Sequence, residues 1–534
     1  MFASSYIPYH KTNSFTRIIT DYLDADPRLR PFYEWPPTPE GLKNSIEKRK
    51  SFDTNREVLV SVLQEQYASV PSNEKVDFNI ASLLSGDSFT ITTAHQPNLF
   101  TGPLYFVYKI LHVIRIAEQL NNEWSQYHFV PVYYMGSEDA DIEELNHTYI
   151  SGKKIEWKTD QQGAVGRMLV DNELQKLIAE MEGQLSVEPF GNEFIDLLKR
   201  CYAEGKTIQQ STFELVNELF GTYGLVVLIP DHPALKRSMI NIFSDDIFNH
   251  KAIEIVAGTS AELGAHYDVQ AHARDINLFY LQHNCRERIE EKGGRFFVLN
   301  TDIEFSKDEL KNELENHPEK FSPNVILRGI FQEAILPGIA FIGGGGELAY
   351  WMQLKSLFEN YKIPFPVLVL RNSFLVVSKK WNDKITRLGL EMEDLFRVEH
   401  DIMNLIVHKR SKNQVSLNGK FEKAEELFQS IQKQAEQVDP GLSQHVAAIR
   451  ARSIKTLQEL EKKMIRAEKR KFSEQQLQVG KLRETLFPKN GLQERKENIS
   501  GFYAKWGKTF IEELYRSSLT LEQKFTILTA SGSS

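Results

Sequence analysis

His95, Gln96 and Asn98 fall within four residues, directly after a β-branched and aromatic run from Phe89 to Thr93. An imidazole and two amides can donate to phosphate or carboxylate oxygens without bringing a full charge into a site. Thr101 and Gly102 follow where a helix N-cap belongs, and Pro103 takes a first helical position. Free N–H groups and the dipole at a helix N-terminus attract anions, so this loop reads as a phosphate or carboxylate pocket. The same residues also suit a loop that only satisfies its own backbone. On residue types alone both readings stand.

Five further groups carry chemistry. Gly343, Gly344, Gly345 and Gly346 lie between a strand pattern and a helical one, where glycine lets phosphate approach backbone N–H groups. No Gly-Lys-Ser/Thr ending follows, so this is not a Walker loop, and a tight strand-to-helix turn explains it as well. Ser137, Glu138, Asp139 and Asp141, with Asn146 and His147 beyond, follow a second strand. Carboxylates there can grip an ammonium group or Mg²⁺, or can merely start a helix. Tyr267, Gln270, His272 and Asn277 crowd together with His266 and Arg274 as a polar wall for a hydroxyl-rich substrate, without a zinc ligand set. Arg328, read as the end of a strand, suits a carboxylate, or an ion pair with a nearby Glu, and Gln332 follows it. Near the C-terminus, Lys489, Asn490, Gly491, Arg495 and the aromatic Trp506 offer cations and a ring for a nucleotide, although loop exposure accounts for them equally.

These groups need a scaffold. Strand patterns at 89–93, 129–134, 225–229, 325–328, 339–342 and 366–370 alternate with helical stretches, which predicts a parallel, doubly wound α/β sheet. Polar segments at about 153–222 and 233–322 read as insertions between core strands, and residues 1–88 as an arm packed on that core. After Ser378, Phe421, Ala424, Phe428, Ile431, Ala435 and Val438 step by three and four. Asp439, Pro440 and Gly441 interrupt the pattern before a second charged helix. An antiparallel helical hairpin follows, whose apolar seam predicts a homodimer. The divisions are a core over 1–378, a helical coiled-coil domain over 379–500, and a segment over 501–534 returning to the core.

A chain of 534 residues exceeds a single core. Net charge −8 and pI near 6.0 argue against a dedicated nucleic-acid binder. Two cysteines, Cys201 and Cys285, exclude a disulfide framework and suit a reducing compartment. No apolar run reaches membrane-spanning length and no export signal is visible, so the expectation is a soluble cytoplasmic protein.

The stretches TTAHQPNLFTGPLYFVYK, GSEDADIEELNH, DINLFYLQHNCRERI, NVILRGIFQEAILPGIAFIGGGGELAYWMQLK and LFPKNGLQERKENI occur in this order over nearly the whole chain. Together they resemble the BshC family, the cysteine-adding ligases of bacillithiol biosynthesis. That resemblance implies a Rossmann-like core similar to class I aminoacyl-tRNA synthetases, with His95 standing in the position of their HIGH signature. It implies two insertions, a dimerising coiled-coil domain, and a carbon–nitrogen ligase that joins cysteine to glucosaminyl malate. The mechanism favoured on that basis is activation of the cysteine carboxylate by ATP, with attack by the sugar amine. His95, Gln96, Asn98, Glu138, Asp139 and Asp141 are then catalytic candidates. Gly102, the four glycines and the Lys489–Trp506 set are nucleotide candidates, and the remaining polar wall with Arg328 and Gln332 would face substrate. Two other readings fit the same core: a nucleotidyltransferase or nucleotide-sugar enzyme, and a non-catalytic coiled-coil assembly protein that senses a metabolite.

Overall fold

The computed structural model describes residues 2–411 and 416–531. Five parallel strands form the central sheet: β1 (Ser88–His95), β2 (His128–Met135), β3 (Val226–Leu228), β4 (Gly338–Gly343) and β5 (Val367–Leu370), in the order β5-β4-β1-β2-β3. The β1–β2 ladder runs unbroken from Ser88↔His128 to His95↔Met135. These strands are almost wholly buried and rich in Val, Ile and aromatics, as a sheet covered on both faces requires. Helix α1 (Tyr105–Glu123) and the Pro39–Lys50 helix cover one face, packing Val113, Ile116, Leu42 and Ile46 on Phe89, Ile91, Ile339 and Val369. Helix α2 (Val325–Ile335) and helix α3 (Gly345–Asn360) cover the other, over Val132, Tyr134, Phe341 and Leu368. The chain thus has the doubly wound parallel sheet that its alternating pattern predicts.

Three local expectations need correction. Val325–Arg328 is the first turn of α2 rather than a strand: the Asn324 side chain accepts from the Ile326 N–H at 2.8 Å, and Ile326, Leu327, Ile330 and Phe331 are buried at helical spacing. Helix α1 begins at Tyr105, not at Pro103, and neither Thr101 nor Gly102 caps it. Phe100, Thr101 and Gly102 instead have φ of 53°, 74° and 64°, a left-handed run that turns the chain before the helix can start. The 233–322 insertion, for which no strand is read from the sequence, holds beside its helices a five-stranded antiparallel sheet that includes Leu278–Gln282 and Cys285–Lys292.

The first insertion opens with the hairpin His147–Ile150 and Lys153–Glu156, followed by three helices whose Ile195, Leu198, Cys201 and Tyr202 are buried. Past the core, α4 (Asn418–Val438) and α5 (Leu442–Lys469) pack as an antiparallel pair. Four of the six α4 seam residues, Phe421, Ala424, Phe428 and Ala435, are half-buried, while Ile431 and Val438 remain exposed with Leu427, Leu442, Ile449 and Leu460. A small third sheet places strand Lys524–Ala530 between Phe2–Pro8 and Phe374–Val377.

Candidate active site

All five core strands deliver residues to one cavity of about 820 Å³ at their carboxyl ends: His95 at the end of β1, Glu138 after β2, Pro230 after β3, Gly344 after β4 and Arg371 after β5. Ligands of open α/β sheets bind at that edge, because loops and helix N-termini converge there.

The inner end is cationic. Lys109 of α1 is buried, donates to the Ala94 carbonyl at 3.0 Å and pairs with Glu347. Glu347 also accepts the Gly344 N–H at 2.8 Å, tying down the start of α3. Arg371 gives one terminal nitrogen to Glu494 at 2.7 Å and the other to the Asn372 carbonyl and Ser373 hydroxyl. Its guanidinium lies over the Tyr105 ring, 5.1 Å from the centroid. Arg328, from the first turn of α2, donates to the Tyr350 hydroxyl and makes no ion pair among the described residues. At Gly346 an added Cβ would meet no protein atom within 4 Å, so the space beside this turn is open.

His95 faces these cations. Its ring sits between Tyr105 and Phe106, with centroids 5.3 and 5.4 Å away. The residue is 7% exposed, and its Nε2 has no hydrogen-bond partner. Burial, then the charges of Lys109, Arg328 and Arg371, hold its pKa well below the usual value, so the imidazole is neutral. A buried donor or acceptor without a partner is costly in a folded protein, and a ligand in the cavity is the natural partner for this one.

The opposite wall is a neutralised ionic lattice. Glu138 pairs with the fully buried Lys236, which also reaches Asp231 at 3.3 Å and the Glu319 carbonyl at 3.0 Å. Arg167 binds Asp231 through two nitrogens at 2.7 and 2.8 Å. Burial pushes the Glu138 carboxyl up against the pull of Lys236. Burial also acts on Asp231, yet Lys236 and Arg167 hold it below the usual carboxylate range. Arg286, half-buried with its guanidinium over the Phe279 ring, extends this wall toward Glu138 and Asp139.

The structure therefore brings together His95, Gln96, Glu138, Asp139, Gln270, His272, Asn277, Arg328, Gly344, Gly345, Gly346 and Arg495 around one cavity. Other candidates lie elsewhere. Asn98 is buried beside Gly102, and neither lines the cavity. Gly343 is the last buried residue of β4. Asp141 caps a short helix by accepting the Glu144 N–H, so the three carboxylates after β2 do not converge: Asp139 takes Gln96 at 3.2 Å and Glu138 takes Lys236. Tyr267 donates to Asp21 at 2.9 Å, away from the cavity. Gln332 is buried against Glu333, which forms a buried ion pair with Arg49. Asn277 reaches the cavity wall, but its amide is committed to Asp246 at 2.9 Å. The proposed cation–aromatic set is dispersed: Lys489 lies over Tyr149, while Trp506 packs on Phe2 and Phe510. Neither Asn490 nor Gly491 lines the cavity.

Lys109, Tyr105, Tyr350, Arg371 and Glu494 escape sequence reasoning. Arg371 had one available signal, since it directly follows the last parallel strand. Lys109 gives none, because an isolated Lys in an amphipathic helix is ordinarily solvated.

A doubly wound core with a cationic crevice at its strand ends is the architecture of proteins that bind phosphorylated or carboxylated ligands. The profile for "Bacillithiol biosynthesis BshC, N-terminal Rossmann-like domain" matches residues 2–372, and that for "Bacillithiol biosynthesis BshC, C-terminal coiled-coil domain" matches residues 374–530. The chain is 39% identical to a Flavobacterium johnsoniae protein over 98% of its own length and 99% of the relative's. It is also 39% identical to a Christiangramia forsetii protein, over 98% of both chains, and 26% identical to one from Bacillus cytotoxicus over 94% and 96%. Each of the three carries the name "Putative cysteine ligase BshC". A Campylobacter jejuni structure titled as an arginyl-tRNA synthetase overlaps 88% of this chain and 98% of its own at 10% identity, with a TM-score of 0.21, too slight to carry an argument. The chain belongs to the BshC family.

Proposed function

We propose that this protein makes the last bond of bacillithiol, joining cysteine to glucosaminyl malate with ATP as co-substrate. The cysteine carboxylate oxygen attacks a phosphorus atom of ATP and displaces a phosphate leaving group. The sugar amine then attacks the activated acyl carbon, loses a proton and expels the phosphate-bearing oxygen, leaving an amide. Family membership supports the pathway, and one observation supports this chemistry at the cavity. Arg328 presents a guanidinium without a carboxylate partner among the described residues, beside the open N-terminus of α3 and the neutral His95. Three cations facing two carboxylates leave the inner end positive, which suits phosphate and malate oxygens.

The chain's own groups divide the work. The Gly345 and Gly346 N–H groups, Lys109 and Arg371 hold phosphate oxygens, and Arg328 takes a second anionic group. His95 donates from Nε2 to oxygen that gains charge, while Asp139 and Glu138 face the amine. Mg²⁺ accompanying ATP would rest mainly on phosphate oxygens and water, since among the described residues no three His, Cys, Asp or Glu side chains converge. A second copy of the chain covers the exposed apolar stripe of α4 and α5, giving a homodimer. Among the described residues no helix is long and apolar enough to cross a membrane.

The test is direct. Purified protein given ATP, cysteine and glucosaminyl malate should form the amide, detected by mass spectrometry. Arg328→Ala should lose the activity at least 100-fold while melting like the parent. No product from the parent, or full activity in a folded Arg328→Ala, would overturn the assignment.

A further inference from the structure

The run Gln493–Asn498 lies outside the Rossmann-like region, yet it meets the cavity at Arg371 and Arg495 and braces the entrance to α1. Gln493 accepts from the Val376 N–H at 3.0 Å and donates to the Val376 carbonyl at 3.2 Å. Glu494, fully buried, holds Arg371 and also accepts the Phe374 N–H at 3.0 Å. Arg495 lines the cavity itself. The Glu497 carbonyl accepts the Leu104 N–H at 2.8 Å, at the entrance to α1.

Asn498 completes the run. Fully buried, its Nδ2 donates to the Phe100 carbonyl at 2.8 Å and to the Gly102 carbonyl at 2.6 Å. Those carbonyls bracket the left-handed run of Phe100, Thr101 and Gly102. Two of the three residues carry a Cβ, for which this backbone region is sparsely populated and persists only where surroundings impose it. The turn's other polar contacts are a Gly102 N–H donated to the Leu99 carbonyl at 2.9 Å, which lies within the turn itself, and a longer Phe100 N–H donated to the Tyr202 hydroxyl at 3.3 Å. On one side of the turn stand His95 and Gln96, and on the other Tyr105 and Lys109, all of which line the cavity.

We infer that Asn498 is a positioning residue: through the Phe100 and Gly102 carbonyls it sets the turn that aims His95 and the first turns of α1 at the ligand. This rests on the cavity being the active site. Released from Asn498, Phe100 and Thr101 relax toward negative φ, and the chain direction between His95 and Tyr105 changes. A misplacement near 1 Å can cost about 100-fold in rate.

Asn498 has a second duty, because its Oδ1 accepts the Ser500 N–H at 2.9 Å and caps the Ile499–Trp506 helix. Asn498→Ser keeps a capping oxygen and removes only the Nδ2 donors. Two readouts apply: kcat and KM for amide formation, and the ¹⁵N and ring-proton resonances of His95, assigned with His95→Phe. Asn498→Ser should lower kcat about 10- to 100-fold with KM values little changed, and should shift the His95 resonances. Adding Thr101→Gly, which removes the Cβ at φ 74°, should recover much of the loss and move those resonances back. The same double variant serves if the single one folds poorly. A folded Asn498→Ser with kcat within twofold of the parent and unmoved His95 resonances overturns the inference. Should the parent prove inactive, the ligase reading fails alone, and the resonances still decide the role of Asn498.

Discussion

Replacing His95 by Phe separates chemistry from stability. Phenylalanine keeps a ring between Tyr105 and Phe106 but has no nitrogen to face the cavity. The site loses one preorganised donor, which typically costs about 10²–10³ in rate, or about 2.7–4 kcal/mol of transition-state stabilisation. Stability at pH 7 should hold or rise, since a buried nitrogen without a protein partner disappears. Acid supplies a second signature. The His95 pKa is depressed in the folded state, so below about pH 6.5 the unfolded chain binds a proton that the folded one refuses. Stability from this group is therefore full above the unfolded value and falls as pH drops, by up to about 1.4 kcal/mol per unit. Between pH 7 and 5 the parent should lose stability that His95→Phe keeps. The assays are kcat/KM for amide formation and urea unfolding at both pH values. Unchanged kcat/KM would sink the catalytic role, and parallel pH dependence would show that His95 is not buried as a neutral ring. Asn98→Ala is the control, because Asn98 does not line the cavity and should leave the rate per folded molecule unchanged.

Phe428→Glu with Ile431→Glu should convert a dimer to a monomer by light scattering; an unchanged mass would mean that the stripe packs within one chain. Arg49→Met should cost about 3–5 kcal/mol in urea unfolding, because it strands the buried Glu333 carboxylate, and the pair replacement with Glu333→Leu should recover most of it. A loss below 1 kcal/mol in Arg49→Met would place Glu333 in contact with water. Trp506→Phe should leave adenine-nucleotide affinity unaltered, since the ring is spent on Phe2 and Phe510; a weakened titration would restore it as a nucleotide platform.

The parallel sheet is legible in the sequence because its strands are continuous apolar runs flanked on at least one side by Pro, Gly or Asp, as at Leu225–Asp231 and Pro366–Leu370. The glycine turn before α3 and the Pro-Gly break between α4 and α5 are equally local. Val325–Arg328 misleads because four residues are too few to show whether the period is two or 3.6. The better signal was Asn324, a cap residue ahead of a longer apolar stretch. Half of the candidate site is legible for the same reason, since His95, Glu138 and Gly344 sit where strands end. Arg371, Glu494 and Asn498 acquire their roles from partners more than 100 residues away, and no local period records such a pairing. The tail shows the reverse failure: Lys489 and Trp506 are close along the chain, but each is claimed by a different aromatic neighbour.

The small terminal sheet has a consequence for synthesis. Its middle strand is Lys524–Ala530, and among the described residues both flanking strands, Phe2–Pro8 and Phe374–Val377, pair only with it. On the ribosome, the first strand must wait for a partner some 520 residues later, roughly 30–100 s at ~5–20 residues per second. For that interval both edges are open to other nascent chains or to a chaperone. Closure of this sheet therefore waits until Lys524–Ala530 has emerged, and a chain that stops short of Lys524 leaves both flanking strands without their shared partner.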